Sequence, residues 1–376
     1  MEVKTKNRIA LSTVFFLSGL VFSTLASRVP SIKELFNLNE AELGTLLLVM
    51  PISSILGLPV SGWLVEKYET RKPVLWGSVL LSFFVFSLGF LHSLWLFGLG
   101  LFLFAFFNRI ANISMNTQAI NLQDHYDKKI NGSFHGLWSV GGITGVGFST
   151  LMVYLGISMS THFIFVGGIA VISFGLTHSW LMVGDKATSE NKLKFGKPDP
   201  LILTLGALVF LAAITEGGMF DWSGVYFREV VLVDIFTYGY LTFMVAMAIS
   251  RFVSDKMIDK FGLKAMYVIS SLVTVSGFSI SIIFPTFWPA MFGFTLVGFG
   301  TAAIIPMTFS LASTSKKYSV GMAISLIGTY GMVGMLAGPP IIGYIAHLLS
   351  LEVSFVFLSL AALLIIPVSR IFFKIR

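Results

Sequence analysis

The chain has 376 residues, 55% hydrophobic and only 11% charged, with a mean hydropathy of +0.87. A soluble chain carries about 25% charged residues, so a water-soluble enzyme is excluded. There is no cysteine, which removes disulfides, thiolate zinc sites, haem attachment and thiol nucleophiles together. The formal charge of +7 comes with no long basic tract, so it reads as membrane topology and not as affinity for nucleic acid.

A helix needs about 20 mostly apolar residues to cross the hydrocarbon of a bilayer, and twelve such runs are present. The first six cover residues 9–26, 43–65, 74–91, 94–122, 132–157 and 162–183. The second six cover 201–227, 235–253, 265–284, 287–310, 320–348 and 353–373. After span one, Ile32, Leu35 and Phe36 have the spacing of a short helix. Between the two sets of six lies the longest polar segment, 184–200, rich in Lys, Ser, Asp and Glu, which divides the chain near its middle. The expected organisation is therefore 1–183, a cytoplasmic linker 184–200, and 201–376.

Lys and Arg concentrate in cytoplasmic loops. The tail carries Lys4, Lys6 and Arg8. The even-to-odd loops carry Lys67, Arg71, Lys72, Lys128, Lys129, Lys186, Lys192, Lys194, Lys197, Arg251, Lys256, Lys260, Lys264, Lys316 and Lys317, and the C-terminal end adds Arg370, Lys374 and Arg376. Only Arg28, Lys33 and Arg228 fall on the other side, and Arg109 lies inside span four. Both termini are expected in the cytoplasm, with the chain multi-pass in the membrane. The basic tail also has the form of a signal peptide, but the later spans need span one for their topology.

Two loops repeat. Glu66-Lys67-Tyr68-Glu69-Thr70-Arg71 after span two and Asp259-Lys260-Phe261-Gly262-Leu263-Lys264 after span eight both read acid, Lys, aromatic, any, any, base. Their separation is close to half the chain, which implies a duplicated six-helix unit. Halves of this kind place the substrate site of a transporter near the membrane midplane.

The stretch Gly62-Trp63-Leu64-Val65-Glu66-Lys67-Tyr68-Glu69-Thr70-Arg71-Lys72 resembles the loop signature of the major facilitator superfamily, with Glu66 for the usual Asp and Glu69 where glycine is usual. The resemblance covers the whole chain and implies an all-α membrane protein of twelve helices in two pseudo-symmetric halves, working by alternating access. In it Gly62, Glu66, Lys67 and Arg71, with Asp259, Lys260 and Lys264 in the second half, are gating residues that lock the inner face through ion pairs and helix dipoles. A closer similarity is to the fucose permease-like branch of bacterial transporters, which implies a location in the bacterial inner membrane. It rests on Ser27-Arg28-Val29-Pro30-Ser31-Ile32-Lys33 with Glu40-Ala41-Glu42-Leu43-Gly44, on Met115-Asn116-Thr117-Gln118-Ala119, on 133–142, and on 216–223.

Polar groups at membrane depth are costly and usually functional. Arg109, Asn112 and Asn116 fall within about 60° of one another on span four. They form either a cavity wall whose guanidinium holds a substrate, or the seat of a structural Arg paired to an acid. The branch usually has an acid where Asn112 stands, so the resemblance supplies no proton carrier on span four and leaves uncoupled facilitation open. Span five offers His135 and Trp138, and the branch implies a substrate-contacting amide at the position of His135. The glycines that follow, Gly141, Gly142, Gly145 and Gly147, suit close helix packing. Span seven carries Glu216 and Asp221 around Gly217 and Gly218, beside Trp222, and the glycine pair is compatible with an unwound segment. Glu216 is the best internal acid and the candidate proton carrier, with Asp221 in reserve. Gly334, Gly338, Pro339 and Pro340 in span eleven read as a kink and packing site.

The substrate-binding set is thus Arg109, Asn112, Asn116, His135, Trp138, Glu216 and Trp222. No cofactor, metal or catalytic constellation is expected. The partners are a small solute, membrane lipid and protons, and the chain is expected to be a monomer. The function expected is proton-coupled symport of a small polar solute, a sugar or anionic metabolite. Proton-antiport efflux of lipophilic compounds and uncoupled facilitation are the alternatives. In a chain with no cysteine of its own, single cysteines placed at Ser31 and at Ser189 should react with an impermeant thiol reagent from opposite sides of the membrane. Labelling from the same side would overturn the topology.

Overall fold

The computed structural model describes residues 2–126, 130–185, 200–315, 317–318 and 320–375. The linker positions 186–199 and the basic anchors Lys128, Lys129, Lys186, Lys192, Lys194, Lys197, Lys316 and Arg376 lie outside these residues. Apart from two short 3-10 helices, His178–Trp180 and Ala312–Thr314, and brief connections, the described residues are α-helical. This is what a bilayer demands, since a helix satisfies its own backbone polar groups.

The helices are α1 Val3–Ala26, α2 Val29–Phe36, α3 Glu40–Lys67, α4 Arg71–Leu88, α5 Leu94–Gln123, α6 Asn131–Tyr154 and α7 Met159–Thr177, then α8 Pro200–Glu229, α9 Thr237–Phe261, α10 Leu263–Ile283, α11 Phe287–Thr301, α12 Ile304–Leu311, α13 Val320–Leu348 and α14 Leu351–Ile375. The short α2 sits where the apolar spacing after span one placed it. α11 and α12 together make one apolar segment, Phe287–Thr314. Eleven helical segments among the described residues are long and apolar enough to cross a membrane. The twelfth, α9, is long enough but ends in a charged stretch that includes Arg251, Lys256, Asp259 and Lys260.

The chain forms two compact units: Met1–Ser31 with Val49–Lys192, and Ile32–Leu48 with Leu193–Arg376. The first nine residues of α3 thus belong with the second unit. In the first unit α1 packs on α6, α4 on α5 and α4 on α7. In the second, α8 packs on α13, α10 on α11 and α10 on α14. These are the same pairs in the same order.

The pairing repeats atom by atom. A side chain on Gly141 would overlap the Phe16 carbonyl, and one on Gly334 would come 2.6 Å from the Phe210 carbonyl oxygen. Four residues on, Gly145 faces the Leu20 carbonyl and Gly338 faces Ile214. Ser53 Oγ donates to the Phe102 carbonyl at 2.5 Å, and Ser250 Oγ donates to that of Phe299 at 2.8 Å; both partners are offset by the same number of positions. The glycines therefore let helix backbones touch, which is where association in lipid gains its dispersion energy. Gly147 is the exception, because open space lies where its side chain would go.

One expectation changes. α8 runs without interruption through Gly217 and Gly218, and a Gly218 side chain would strike Ile342 and Leu358, so this glycine serves packing and not unwinding. α13 carries Pro339 and Pro340 within one helix. Between α9 and α10 the chain turns on Gly262 alone, at φ +77°, a conformation that favours glycine.

Gly141→Ala should lower stability by about 1–3 kcal/mol, the range for overpacking a tight contact, and Gly147→Ala should leave it within about 0.5 kcal/mol. Thermal melts of the two purified variants test the difference. Equal melting temperatures would remove the packing role.

Candidate functional site

The second unit holds an ion pair between neighbouring antiparallel helices. Glu216 on α8 lies about 20 Å before Glu229, and Arg251 on α9 about 21 Å after Thr237, at 1.5 Å per residue, so the two side chains meet at one level. Arg251 donates from one terminal nitrogen to Glu216 Oε1 at 3.3 Å. The Glu216 side chain is 13% exposed and that of Arg251 38%. The sequence reading placed Arg251 among the cytoplasmic anchors, and it is instead the partner of the main internal acid. Arg251 falls at the position of the second unit that corresponds, by the serine offset, to Ser54 in the first.

In the first unit Ser54 receives an arginine as well. Arg109 Nε donates to the Ser54 carbonyl at 3.4 Å, and its stem lies against Gly57, where a side chain would come within 3.2 Å of Arg109 Cβ. Asn116 turns back on its own helix, donating to the Asn112 carbonyl at 2.7 Å and to Asn112 Oδ1 at 3.4 Å. All three side chains are half-buried. His135 is exposed and meets the Phe15 ring edge-on at 5.5 Å, and Trp138 lies 6.2 Å from Phe22.

Asp221 is half-buried with no hydrogen bond or ion pair among the described residues. Trp222, expected to line the cavity, is fully buried instead. Gly343 packs so closely that a side chain there would come within 3.2 Å of the indole, and the ring fills the space that the small residue leaves.

At the Glu229 end, Lys33 of α2 holds both Glu229 and Glu40, the latter at 2.8 Å. Burial works against its charge, but the two carboxylates outweigh it and raise the Lys33 pKa. Arg228 bridges Glu34 at 2.7 Å and Asp234 at 3.0 Å. The only hint of this cluster in the sequence was that Lys33 and Arg228 broke the charge asymmetry. Arg28, the third such cation, is buried. It donates to His162 Nδ1 at 3.2 Å and to the Ile157 carbonyl at 3.0 Å, and burial pushes its pKa down to about 10.

At the other end, the signature loop carries no ion pair at Glu66, Arg71, Asp259, Lys260 or Lys264 among the described residues. Lys67 lies over the Trp63 ring at 4.5 Å, and a side chain on Gly62 would meet nothing. The loop is tied down by Asp185, at the start of the linker. Thr70 Oγ1 donates to Asp185 Oδ2 at 2.5 Å, its N–H to the Asp185 carbonyl at 3.2 Å, and Gln118 donates to Thr70 Oγ1 at 2.7 Å. This staple gives the first loop a path that needs no glycine at Glu69, whereas the second loop turns on Gly262.

Helices long and apolar enough to span a membrane, packed in two units with matching pairs, are the plan of one large class of transporters. The sequence profile of the Major Facilitator Superfamily matches residues 11–241 and 233–376. An MFS-type transporter of Yersinia pestis is 30% identical over 364 residues, covering 96% of this chain and 94% of its own length. The membrane protein MosC of Rhizobium meliloti is 28% identical, covering 97% and 89%. A point mutant of the nucleoside transporter NupG superposes with a TM-score of 0.79 at 12% identity over 99% and 100% of the two chains. An inward-facing bacterial homolog of the human lysosomal transporter Spinster gives 0.77 at 14% identity over 100% and 99%. The chain belongs to the Major Facilitator Superfamily.

Burial raises the pKa of Asp185 against the opposing pull of its hydrogen bonds. A carboxyl whose folded pKa is raised contributes its stability fully below the unfolded pKa and loses it as pH rises through the folded one. At neutral pH the charge is therefore a cost. Asp185→Asn should melt at or above the native temperature at pH 7, and the native protein should gain on it as pH falls toward 4. Asp185→Ala, which strands the Thr70 hydroxyl, should cost about 1–3 kcal/mol. A native protein that loses stability relative to Asp185→Asn on acidification would reverse the assignment.

Proposed function

We propose that this chain is a secondary active transporter that moves a small polar solute, a sugar or an anionic metabolite, across the bacterial inner membrane by alternating access and proton symport. The observation that carries this reading is Glu216, an acid at membrane depth whose partner is a single guanidinium at 3.3 Å. Such a carboxylate is held charged only while Arg251 faces it. When the pair opens, a proton from the aqueous side replaces the lost counter-ion, and the protonated acid can cross as the protein changes state. Asp221 is the second carboxyl available to the cycle. Arg109, Asn112 and Asn116 on α5 and His135 and Trp138 on α6 supply hydrogen-bonding and stacking groups for the solute. Both termini lie in the cytoplasm, as the Lys and Arg bias supports. In the outward-open state, Glu66, Lys67 and Arg71, with Asp259, Lys260 and Lys264, close the inner face.

The test is reconstitution into proteoliposomes with solutes first selected by thermal shift from sugar and metabolite libraries. The native protein should accumulate its solute when a pH gradient is imposed and should acidify the lumen as solute enters. Glu216→Gln should lose gradient-driven accumulation and keep counterflow exchange. Accumulation that persists in both Glu216→Gln and Asp221→Asn would eliminate these acids as the coupling site.

A further inference from the structure

Arg251 can do more than neutralise Glu216. Among the described side chains, its guanidinium makes one bond, an N–H to one carboxylate oxygen of Glu216 at 3.3 Å. A guanidinium carries five N–H donors in a planar fork, and its strong contacts to carboxylates are bidentate, at about 2.7–2.9 Å. The pair is thus long and single-toothed, with most of the fork unused.

The Arg251 side chain is also 38% exposed on a helix within the membrane. Hydrocarbon is a costly neighbour for a guanidinium, which at membrane depth is met by water, by a partner or by a path to the interface. We read the exposed edge of the fork as open to water. Water, an unsatisfied cationic fork and an internal carboxylate held by its weakest geometry form a receptor whose built-in occupant can be exchanged.

We infer that Arg251 is the anion-binding residue of this protein, that its ligand is a solute bearing one carboxylate, and that Glu216 occupies the site when the solute is absent. This deepens the symport reading of the same pair and rests on it. When the solute carboxylate takes the fork, Glu216 loses its counter-ion at a site where it is only 13% exposed, and it takes one proton from the water. The charges balance: Arg251 with Glu216 is neutral before, and Arg251 with the solute anion beside a protonated Glu216 is neutral after. A second negative charge on the solute would break that balance, which selects a monoanion.

On α9, Asp255 stands one turn on from Arg251 with its side chain outside the described ones, and Lys256, Asp259 and Lys260 follow toward the Phe261 end. On α10, Lys264 stands at the helix start and Tyr267 bonds Thr308. α11 and α12 carry no ionisable group. On α13, Tyr330 lies against Gly206 and His347 faces Glu40. On α14, Glu352 lies near Tyr226, and Arg370 and Lys374 sit at the far end of the helix. On α8 itself, Asp221 is five residues on from Glu216 and points to a different face.

The experiment uses purified full-length protein in detergent and three matched probe pairs: lactate against propane-1,2-diol, gluconate against sorbitol, and galacturonate against galactose. At least one carboxylate should raise the melting temperature by a few degrees while its uncharged partner does not, and binding in weak buffer should take up one proton per solute. Glu216→Gln, which removes the internal competitor, should bind that carboxylate about tenfold tighter without proton uptake. Arg251→Gln should lose it. The Arg251→Gln/Glu216→Gln pair keeps the site neutral and folded, and it too should not bind.

The inference is overturned if no carboxylate stabilises either the native protein or Glu216→Gln, if an uncharged partner binds equally well, or if the double variant still binds the carboxylate. The symport reading fails separately. An uncharged probe whose uptake moves protons through Glu216 would keep symport and remove the anion site. A carboxylate that binds through Arg251 but shows no counterflow in proteoliposomes would keep the site and remove transport.

Discussion

Backbone-to-backbone contact at glycine is the interaction on which this structure depends. In lipid there is no hydrophobic gain from bringing two apolar helices together, so association relies on close packing. Gly141 and Gly145 let α6 reach the carbonyls of α1, and Gly334 lets α13 reach the Phe210 carbonyl of α8. With those pairs set, α4 and α10 are enclosed by their own partners in each unit. The serine bonds from Ser53 and Ser250 then tie α3 to α5 and α9 to α11 at corresponding levels.

The rigid frame makes room for charge. Glu216 and Arg251 meet because α8 and α9 are antiparallel neighbours, and each residue lies nearly the same distance from the turn that joins them. Helix α9 is the least suited of the long helices to cross a membrane by composition, and the guanidinium that answers Glu216 is one reason. Function and apolarity compete for the same positions, and here α9 gives up apolarity. The first unit uses its arginine differently, bonding Arg109 to the Ser54 carbonyl, so the duplication kept the frame and diversified the polar groups mounted on it.

Charged and polar side chains gather at the ends of several helices. Lys33 gathers Glu40 and Glu229, Arg228 gathers Glu34 and Asp234, and Asp185 staples the signature loop through Thr70. Each cluster joins segments far apart in sequence. Each also keeps its charges near a helix end, where solvent and hydrogen bonds offset the cost of burial.

The sequence by itself determined the helical class, the spans, the duplication and the packing use of Gly141 and Gly145, because hydropathy, charge asymmetry and small-residue spacing are sums over neighbouring residues. It also singled out Glu216, since an acid inside an apolar run is conspicuous alone. Only the tertiary structure decided who answers it. Arg251 stands two residues from the edge of its apolar run and beside a loop full of cations, so composition assigns it to the loop, while a long flexible side chain and the level of the neighbouring helix bring it back to Glu216. The burial of Trp222 behind Gly343, the continuity of α8 through its glycine pair, and the capture of Thr70 by Asp185 were hidden for the same reason. Each depends on which helix lies alongside and at what height, and that relation is set by three-dimensional packing between residues the chain order keeps apart.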